Sequence, residues 1–144
     1  MKTNNLYKQI LNVLAAASLA SATLMAQSSP GAVLHVTVPF GFTAGTRILP
    51  GGEYVVQPNL RGSIITIRDE KDRKAVMLLS HSGEPAVQNE KAQLTFWRYG
   101  NRYFLHRVTT FVGENSADLY VTAAERESAS AAIHPVSIGI VAHR

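Results

Sequence analysis

The stretch KAQLTFWRYGNRYFLHRV, residues 91–108, decides the fold. Apolar and polar side chains alternate on both sides of Gly100-Asn101, and a pair with Gly in first place favours a two-residue type II′ turn between antiparallel strands. We therefore predict a hairpin of residues 91–99 and 102–112. Its expected cross-strand pairs are Trp97 with Phe104, Thr95 with His106, Phe96 with Leu105, and Arg98 with Tyr103. Aromatic residues then occupy both faces, so a helix, a second sheet or a ligand must cover the second face.

The same alternation extends through the rest of residues 27–144, with turn signals about every 8–12 residues. Residues 33–40 place Leu34, Val36, Val38 and Phe40 on one face, and Pro39 predicts a bend or an edge. Residues 64–68 and 74–81 flank a charged turn, residues 69–73, and predict a second hairpin. Pro50-Gly51 suits the central pair of a type II turn. The pattern predicts an all-β, mainly antiparallel domain, either a small sandwich or a barrel of about seven or eight strands.

One short helix is expected near the C-terminal end. Thr122 and Glu125 have the spacing of a capping box, with Thr122 as N-cap, and residues 123–132 are rich in good helix formers. A helix of this length is marginal alone, so its alanine face should dock on the sheet. Pro135 ends it, and Val136, Ile138 and Ile140 begin the alternation of a final strand.

Residues 1–26 have the pattern of a secretory signal peptide. Lys2 and Lys8 precede a short apolar segment, residues 10–20, which is too short to span a bilayer, and small residues follow. Cleavage after Ala26 or after Ala22 fits. Loss of the two lysines lowers the formal net charge from +4 to +2. We expect a single β domain, residues 27–144, in the periplasm or outside the cell, with no membrane span.

The composition excludes several chemistries. The chain has no cysteine, which rules out disulfides, thiol catalysis and Cys-ligated metals. Its charges are mixed in sign, so the basic net charge does not point to nucleic acid. Neither a phosphate-binding loop nor a dinucleotide-binding glycine motif occurs, and we therefore expect no cofactor.

Catalytic and metal sites are not expected either. The five histidines fall in five separate segments without ligand spacing: His35, His81, His106, His134 and His143. Ser80, His81 and Ser82 lie near Glu84, but neighbouring strand residues point to opposite faces, so the serines and His81 should not share a face. An enzyme would require His81 or His106 within hydrogen-bond reach of an acid or hydroxyl in a cleft.

The aromatic–arginine group of the first hairpin is the candidate binding surface. It comprises Trp97, Tyr99, Arg102, Tyr103 and Phe104. Exposed, these side chains could stack on a sugar ring or hold a protein; buried, they would form the hairpin core. The sequence thus favours an exported, non-enzymatic β domain with a binding or structural role. The alternative is a carrier whose apolar cavity is lined by residues such as Phe40, Phe42, Phe96 and Leu105. A protein, a polysaccharide and a small apolar ligand stay open as partners.

Four short motifs carry a family resemblance. They are Val-Pro-Phe-Gly-Phe at residues 38–42, Leu-Pro-Gly-Gly-Glu-Tyr at 49–54, Arg-Tyr-Gly-Asn-Arg-Tyr-Phe-Leu at 98–105 and Ala-Glu-Arg-Glu at 124–127. In this order the chain resembles a group of small exported bacterial β proteins with no known activity. The resemblance implies a shared fold and export, and it brings no site residues.

Overall fold

The protein is all-β with one short helix. The structure, a computed structural model, describes residues 32–59, 63–85, 91–110, 116–131 and 135–143; the predicted leader and His134 lie outside these ranges. The elements are β1 (Leu34–Val38), β2 (Phe42–Ala44), β3 (Arg47–Leu49), β4 (Gly52–Asn59), β5 (Ile64–Asp69), β6 (Ala75–Ser82), β7 (Gln93–Tyr99), β8 (Arg102–Thr109), β9 (Ser116–Leu119), α1 (Ala123–Ala131) and β10 (Val136–Val141).

All ten strands belong to one mixed sheet. Antiparallel pairing runs β1-β4-β5-β6-β9-β8-β7-β10, while β2 pairs in parallel with β8 and carries β3 at its other edge. The two ends of this path meet at one isolated bridge, in which His35 and His143 exchange backbone N–H···O bonds of 3.3 and 2.9 Å. No continuous ladder joins β1 to β10, so the described sheet is not closed.

The predicted hairpins and alternation are confirmed. Residues 64–68 pair with 75–79 around the charged turn, and Trp97 lies opposite Phe104 as expected. Gly100 has φ +60° while Asn101 does not have a positive φ, as a type II′ turn requires. The alternating apolar residues of each strand face one core, whose largest fully buried side chains include Tyr54, Phe42, Phe96, Leu34, Ile65, Ile67 and Leu94.

Two local predictions in the first half of the domain are wrong. The described residues form ten strands and not seven or eight, because the segment after Pro39 forms two three-residue strands, β2 and β3. Pro50-Gly51 is not a type II turn, because Gly51 does not have a positive φ. Glycine is needed there for space: a Cβ would lie 3.2 Å from backbone atoms of Val38, Pro39 and Phe40.

The helix begins as predicted but docks by a different face. The backbone N–H of Glu125 donates to Thr122 Oγ1 at 3.2 Å, which is the N-cap bond of the capping box. The buried residues of α1 are Glu125 and Ser128, not its alanines. Ser128 accepts a hydrogen bond from Arg102 of the sheet, so a polar contact helps to hold the helix. Within the described ranges, no helix is long and apolar enough to cross a membrane.

Candidate functional site

The predicted aromatic–arginine surface is divided between the two faces of the β7–β8 hairpin. Tyr103 lies on the inner face, where its ring stacks on Phe40 with the centroids 4.0 Å apart. Trp97, Tyr99 and Phe104 lie on the outer face and contact one another in sequence, at 6.3 and 5.8 Å between centroids. Of the predicted surface, Trp97, Tyr99 and Phe104 therefore form one continuous group, and Tyr103 is separated from them by the sheet.

Helix α1 covers one end of this outer face. Tyr99 and Phe104 are buried, at 9% and 2% exposure. Arg102 spans the boundary: its guanidinium lies 5.2 Å from the centre of the Phe104 ring, and Nη1 donates to Ser128 Oγ on the helix at 2.9 Å. The helix is therefore the cover that the two-sided aromatic pattern required, and it leaves the Trp97 end half-exposed.

A β-bulge adds a histidine to the uncovered end. The hairpin register shifts between Thr95 and Phe96, so Thr95 pairs with Arg107 instead of the predicted His106. The extra residue is His106, whose ring lies 5.0 Å from that of Trp97. A bulge places two consecutive side chains toward one side of a sheet, so His106 and Arg107 share the outer face.

An ion pair lies next to this ring pair. Arg107 Nε and Nη2 donate to Asp118 Oδ1 and Oδ2 at 2.6 and 2.9 Å, the two-pronged geometry that suits guanidinium and carboxylate. Burial alone would raise the pKa of Asp118, but the hydrogen bonds and charge of Arg107 outweigh it and hold that pKa below its ordinary value. The carboxylate is consequently ionised and fixed in orientation at neutral pH.

A second ring pair lies on the far side of the ion pair. His81 on β6 is the cross-strand neighbour of Asp118, and its ring contacts that of Tyr120 at 4.9 Å. Tyr120 is 60% exposed. We call the resulting row, Trp97, His106, Arg107, Asp118, His81 and Tyr120, the outer strip. It crosses four neighbouring strands, β7, β8, β9 and β6, and thus extends about 14 Å at the usual inter-strand spacing.

The two imidazoles of the outer strip each pack against an aromatic ring, His106 against Trp97 and His81 against Tyr120. Burial lowers the pKa of His106, the nearby Arg107 and His81 lower it further, and the carboxylate of Asp118 only partly offsets these effects. His106 is therefore neutral at pH 7. Among the described residues, neither His81 nor His106 hydrogen-bonds an acid or a hydroxyl. Ser80 is buried on the inner face, away from His81, as strand alternation predicts.

A smaller polar group lies at the seam between the first and last strands. His35 Nδ1 lies 3.0 Å from Glu70 Oε1, and both line an open pocket of about 220 Å³ with Glu53 and His143. No local sequence signal brings these residues together, because the pairing of residue 35 with residue 143 joins distant parts of the chain. Within the described part of the chain, no three His, Asp or Glu side chains converge as a metal site.

The aromatic rings that would line the cavity of a carrier, Phe40, Phe42 and Phe96, contact one another. Phe96 meets Phe40 and Phe42 edge-on, with centroids 5.3 and 5.2 Å apart, and Phe42 meets Tyr54 in the same way at 5.4 Å. Leu105 is buried in the same cluster. These side chains therefore satisfy each other's apolar surface in the core instead of presenting it to a ligand.

The chain matches no family model, no curated protein and no solved structure. The resemblance to small exported bacterial β proteins consequently rests on its four motifs and stays a prediction. Function must be argued from the site itself.

Proposed function

We propose that this chain is an exported, non-enzymatic binding domain that holds a saccharide chain on its outer strip. The observation that carries the proposal is the arrangement of that strip: a ring pair at each end, Trp97 with His106 and His81 with Tyr120, and a fixed Arg107–Asp118 pair between them. Export rests on the signal-peptide pattern of residues 1–26.

The chemistry of the outer strip suits a chain of sugar rings. Aromatic faces pack against the apolar C–H face of a pyranose, and Tyr and Trp add polar groups at their edges. A carboxylate and a guanidinium held in one plane supply adjacent acceptors and donors for neighbouring hydroxyls. The length of the strip exceeds one sugar ring, so several consecutive units would contact it.

A binding role agrees better with the outer strip than catalysis does. Both imidazoles contact aromatic rings, and the one carboxylate between them already receives two hydrogen bonds from Arg107. A general acid or base needs a proton-transfer partner within about 3 Å, and a nucleophile needs an adjacent base. The fixed charge pair orients a ligand and has no proton to exchange at neutral pH.

The single tryptophan makes the test direct. Trp97 is the only tryptophan in the chain, so the intrinsic fluorescence reports on the strip itself. We expect titration with soluble gluco-, xylo- and chito-oligosaccharides to produce a saturable emission change for at least one series, with affinity rising with chain length.

The matched variants are Tyr120→Ala and Ile48→Ala. Both remove an exposed side chain, 60% and 81% accessible, but only Tyr120 belongs to the strip. Tyr120→Ala should weaken binding about tenfold, the loss expected for one stacked ring, and Ile48→Ala should leave it unchanged. The proposal fails if no saccharide changes the Trp97 emission, or if both variants bind like the parent.

A further inference from the structure

The outer face of β6 carries exposed apolar side chains. Met77 and Leu79 are 69% and 70% exposed, although the residue between them, Leu78, is buried in the core. Leu79 lies opposite Ile64 of β5, whose side chain is on the same face. We call Met77, Leu79 and Ile64 the apolar row. A solvated strand face is ordinarily polar, so neighbouring large apolar residues at this exposure indicate a surface that binds apolar groups.

Two arginines lie at one end of the apolar row. Arg68 of β5 is the cross-strand neighbour of Ala75, which is two residues from Met77 and on the same face of the sheet. Arg73 lies in the turn between β5 and β6. Both arginines line an open groove of about 610 Å³ beside Val55, which we call the basic groove. Cationic and apolar side chains are therefore adjacent on one face.

The arginines of the basic groove are available to a ligand, whereas its carboxylates already have partners. Within the described ranges, neither the Arg68 nor the Arg73 side chain makes a hydrogen bond or an ion pair. Asp69 Oδ1 accepts two backbone N–H groups of its own turn, at 2.8 and 3.1 Å. Glu70 Oε1 lies 3.0 Å from His35 Nδ1. The two guanidinium groups thus keep their donors for an oxyanion such as a phosphate or a carboxylate.

The backbone of Arg73 gives its side chain further significance. Its φ is +54°, in the left-handed region where a turn favours glycine. The Arg73 N–H donates to Asp69 O at 3.0 Å, and a glycine would make the same bond. The turn therefore does not need an arginine and is strained by one. A residue retained against a conformational preference points to a role for its guanidinium.

We propose that this face binds a monomeric anionic amphiphile, an alkyl chain with a phosphate or carboxylate head. The head accepts hydrogen bonds from Arg68 and Arg73 in the basic groove, and the chain lies along Met77 and Leu79. Charge complementarity selects the anionic head, and the apolar row beside the groove selects the alkyl chain. The distance from Ala75 to Leu79 is about 13 Å at the usual rise of a strand, which suits a chain of medium length.

Met77 makes the test local, because it is the single methionine of the described residues. We would label the methionine methyl groups isotopically and titrate the protein with alkyl phosphates from butyl to decyl, each below its critical micelle concentration. The Met77 methyl signal, identified with Met77→Leu, should shift to saturation. Affinity should rise by up to about fourfold for each added methylene that contacts the apolar row.

The head group is tested with the alkyl chain held constant. Decanoate carries a carboxylate in place of the phosphate, and comparison of its affinity with that of decyl phosphate shows which oxyanion the basic groove prefers. Decyl trimethylammonium has the same chain and a cationic head, and it should bind at least about tenfold more weakly than decyl phosphate.

Two pairs of variants separate the head from the chain. Arg73→Gly removes a guanidinium and relieves the positive φ, so affinity for decyl phosphate should fall about tenfold while the Tm does not fall. Its control, Arg126→Gln, removes an exposed charge on α1 and should bind like the parent. Leu79→Ser should abolish the dependence on chain length without changing the affinity for butyl phosphate. Its control is Ile48→Ser, at another exposed position.

Three results would overturn the proposal: an unchanged Met77 signal with decyl phosphate, equal binding of the cationic amphiphile, or parental affinity in Arg73→Gly. Binding to phosphatidylglycerol vesicles without binding to the monomeric amphiphile would also overturn it and assign the face to a membrane surface. Circular dichroism confirms that each variant is folded. The inference does not depend on saccharide binding, which is read from the emission of Trp97 and can fail separately.

Discussion

The two faces of the β7–β8 hairpin both carry aromatic rings, but only the inner cluster is closed on all sides. On the inner face, Phe96 is fully buried and meets Phe40 and Phe42 edge-on. On the outer face, Phe104 is buried beneath Arg102, while Trp97 is half-exposed beside His106. The same two strands thus specify the fold on one side and present a recognition surface on the other.

This difference shows what alternation in a strand can encode. Residues one apart point to opposite faces, so Phe96 and Trp97 serve separate purposes although they are adjacent in sequence. The side chain of Phe96 must fit the volume of the core. The side chain of Trp97 is limited only by the groups that lie over the outer face. Substitutions on each face should separate these two constraints, and the following four predictions run from the largest effect to the smallest.

Phe96→Ala should be the most damaging change. It leaves a cavity beside the rings of Phe40 and Phe42 in the core, and we expect a loss of about 3–5 kcal/mol in the free energy of unfolding. Urea denaturation followed by circular dichroism measures it. Ile48→Ala, at an 81% exposed position, is the control and should change stability by less than about 0.5 kcal/mol. Equal effects at the two positions would contradict the core assignment.

Phe104→Ala tests how firmly α1 covers the outer face. The ring is 2% exposed and supports the Arg102 guanidinium, so its loss should cost about 2–4 kcal/mol. The rate of amide hydrogen exchange should increase more in α1 than in β5, because the helix loses the ring that supports its Arg102 contact. A loss of less than about 1 kcal/mol in the free energy of unfolding would contradict the burial of Phe104 beneath Arg102 and α1.

Asp118→Asn should lower the free energy of unfolding, because it removes the negative charge of the Arg107–Asp118 ion pair. It removes the negative charge that accepts two hydrogen bonds from the Arg107 guanidinium, whose side chain is 28% exposed, for a cost of about 1–2 kcal/mol at pH 7. The pKa of Asp118 lies below its ordinary value of 3.8, so its stabilising contribution is present above that pH and is lost on acidification. The parent and variant should therefore approach each other in stability as the pH falls below 3.8, which thermal unfolding over a pH series from 7 downwards can check.

Glu125→Gln should have the smallest effect and the opposite sign. Burial raises the pKa of Glu125 above 4.5, so the folded state favours the protonated form and gains stability as the pH falls. Gln keeps an acceptor for the capping box but carries no charge. We expect a slightly higher Tm than the parent at pH 7, with the difference closing below pH 4.5. A lower Tm at pH 7 would mean that the charge at the helix N-terminus outweighs its desolvation.

Elements governed by local pattern could be predicted from the sequence. Alternation identified β1, the type II′ turn followed from Gly100-Asn101, and the Thr122–Glu125 spacing located the start of α1. In each case the deciding interaction lies within a few residues of the signal. Strand alternation also correctly separated Ser80 from His81.

The candidate site could be predicted only in part, because its assembly is non-local. The bulge that brings His106 beside Trp97 is one extra residue in a pairing and leaves no mark in the local pattern. The pairing of β9 between β6 and β8 unites His81 with Arg107 through Asp118, and no sequence spacing encodes it. The polar docking face of α1 was missed because helix propensity says which residues form a helix, not which side packs.

The bridge between His35 and His143 has a consequence for the order of folding. Its partners come from opposite ends of the described residues, so among the described backbone pairings this contact closes the longest loop and carries the greatest entropic penalty. Hairpins such as β5–β6 and β7–β8 need no such closure and can form early. We therefore expect β1 to gain this contact late in folding, and removal of His143 to leave β1 with its backbone pairing to β4.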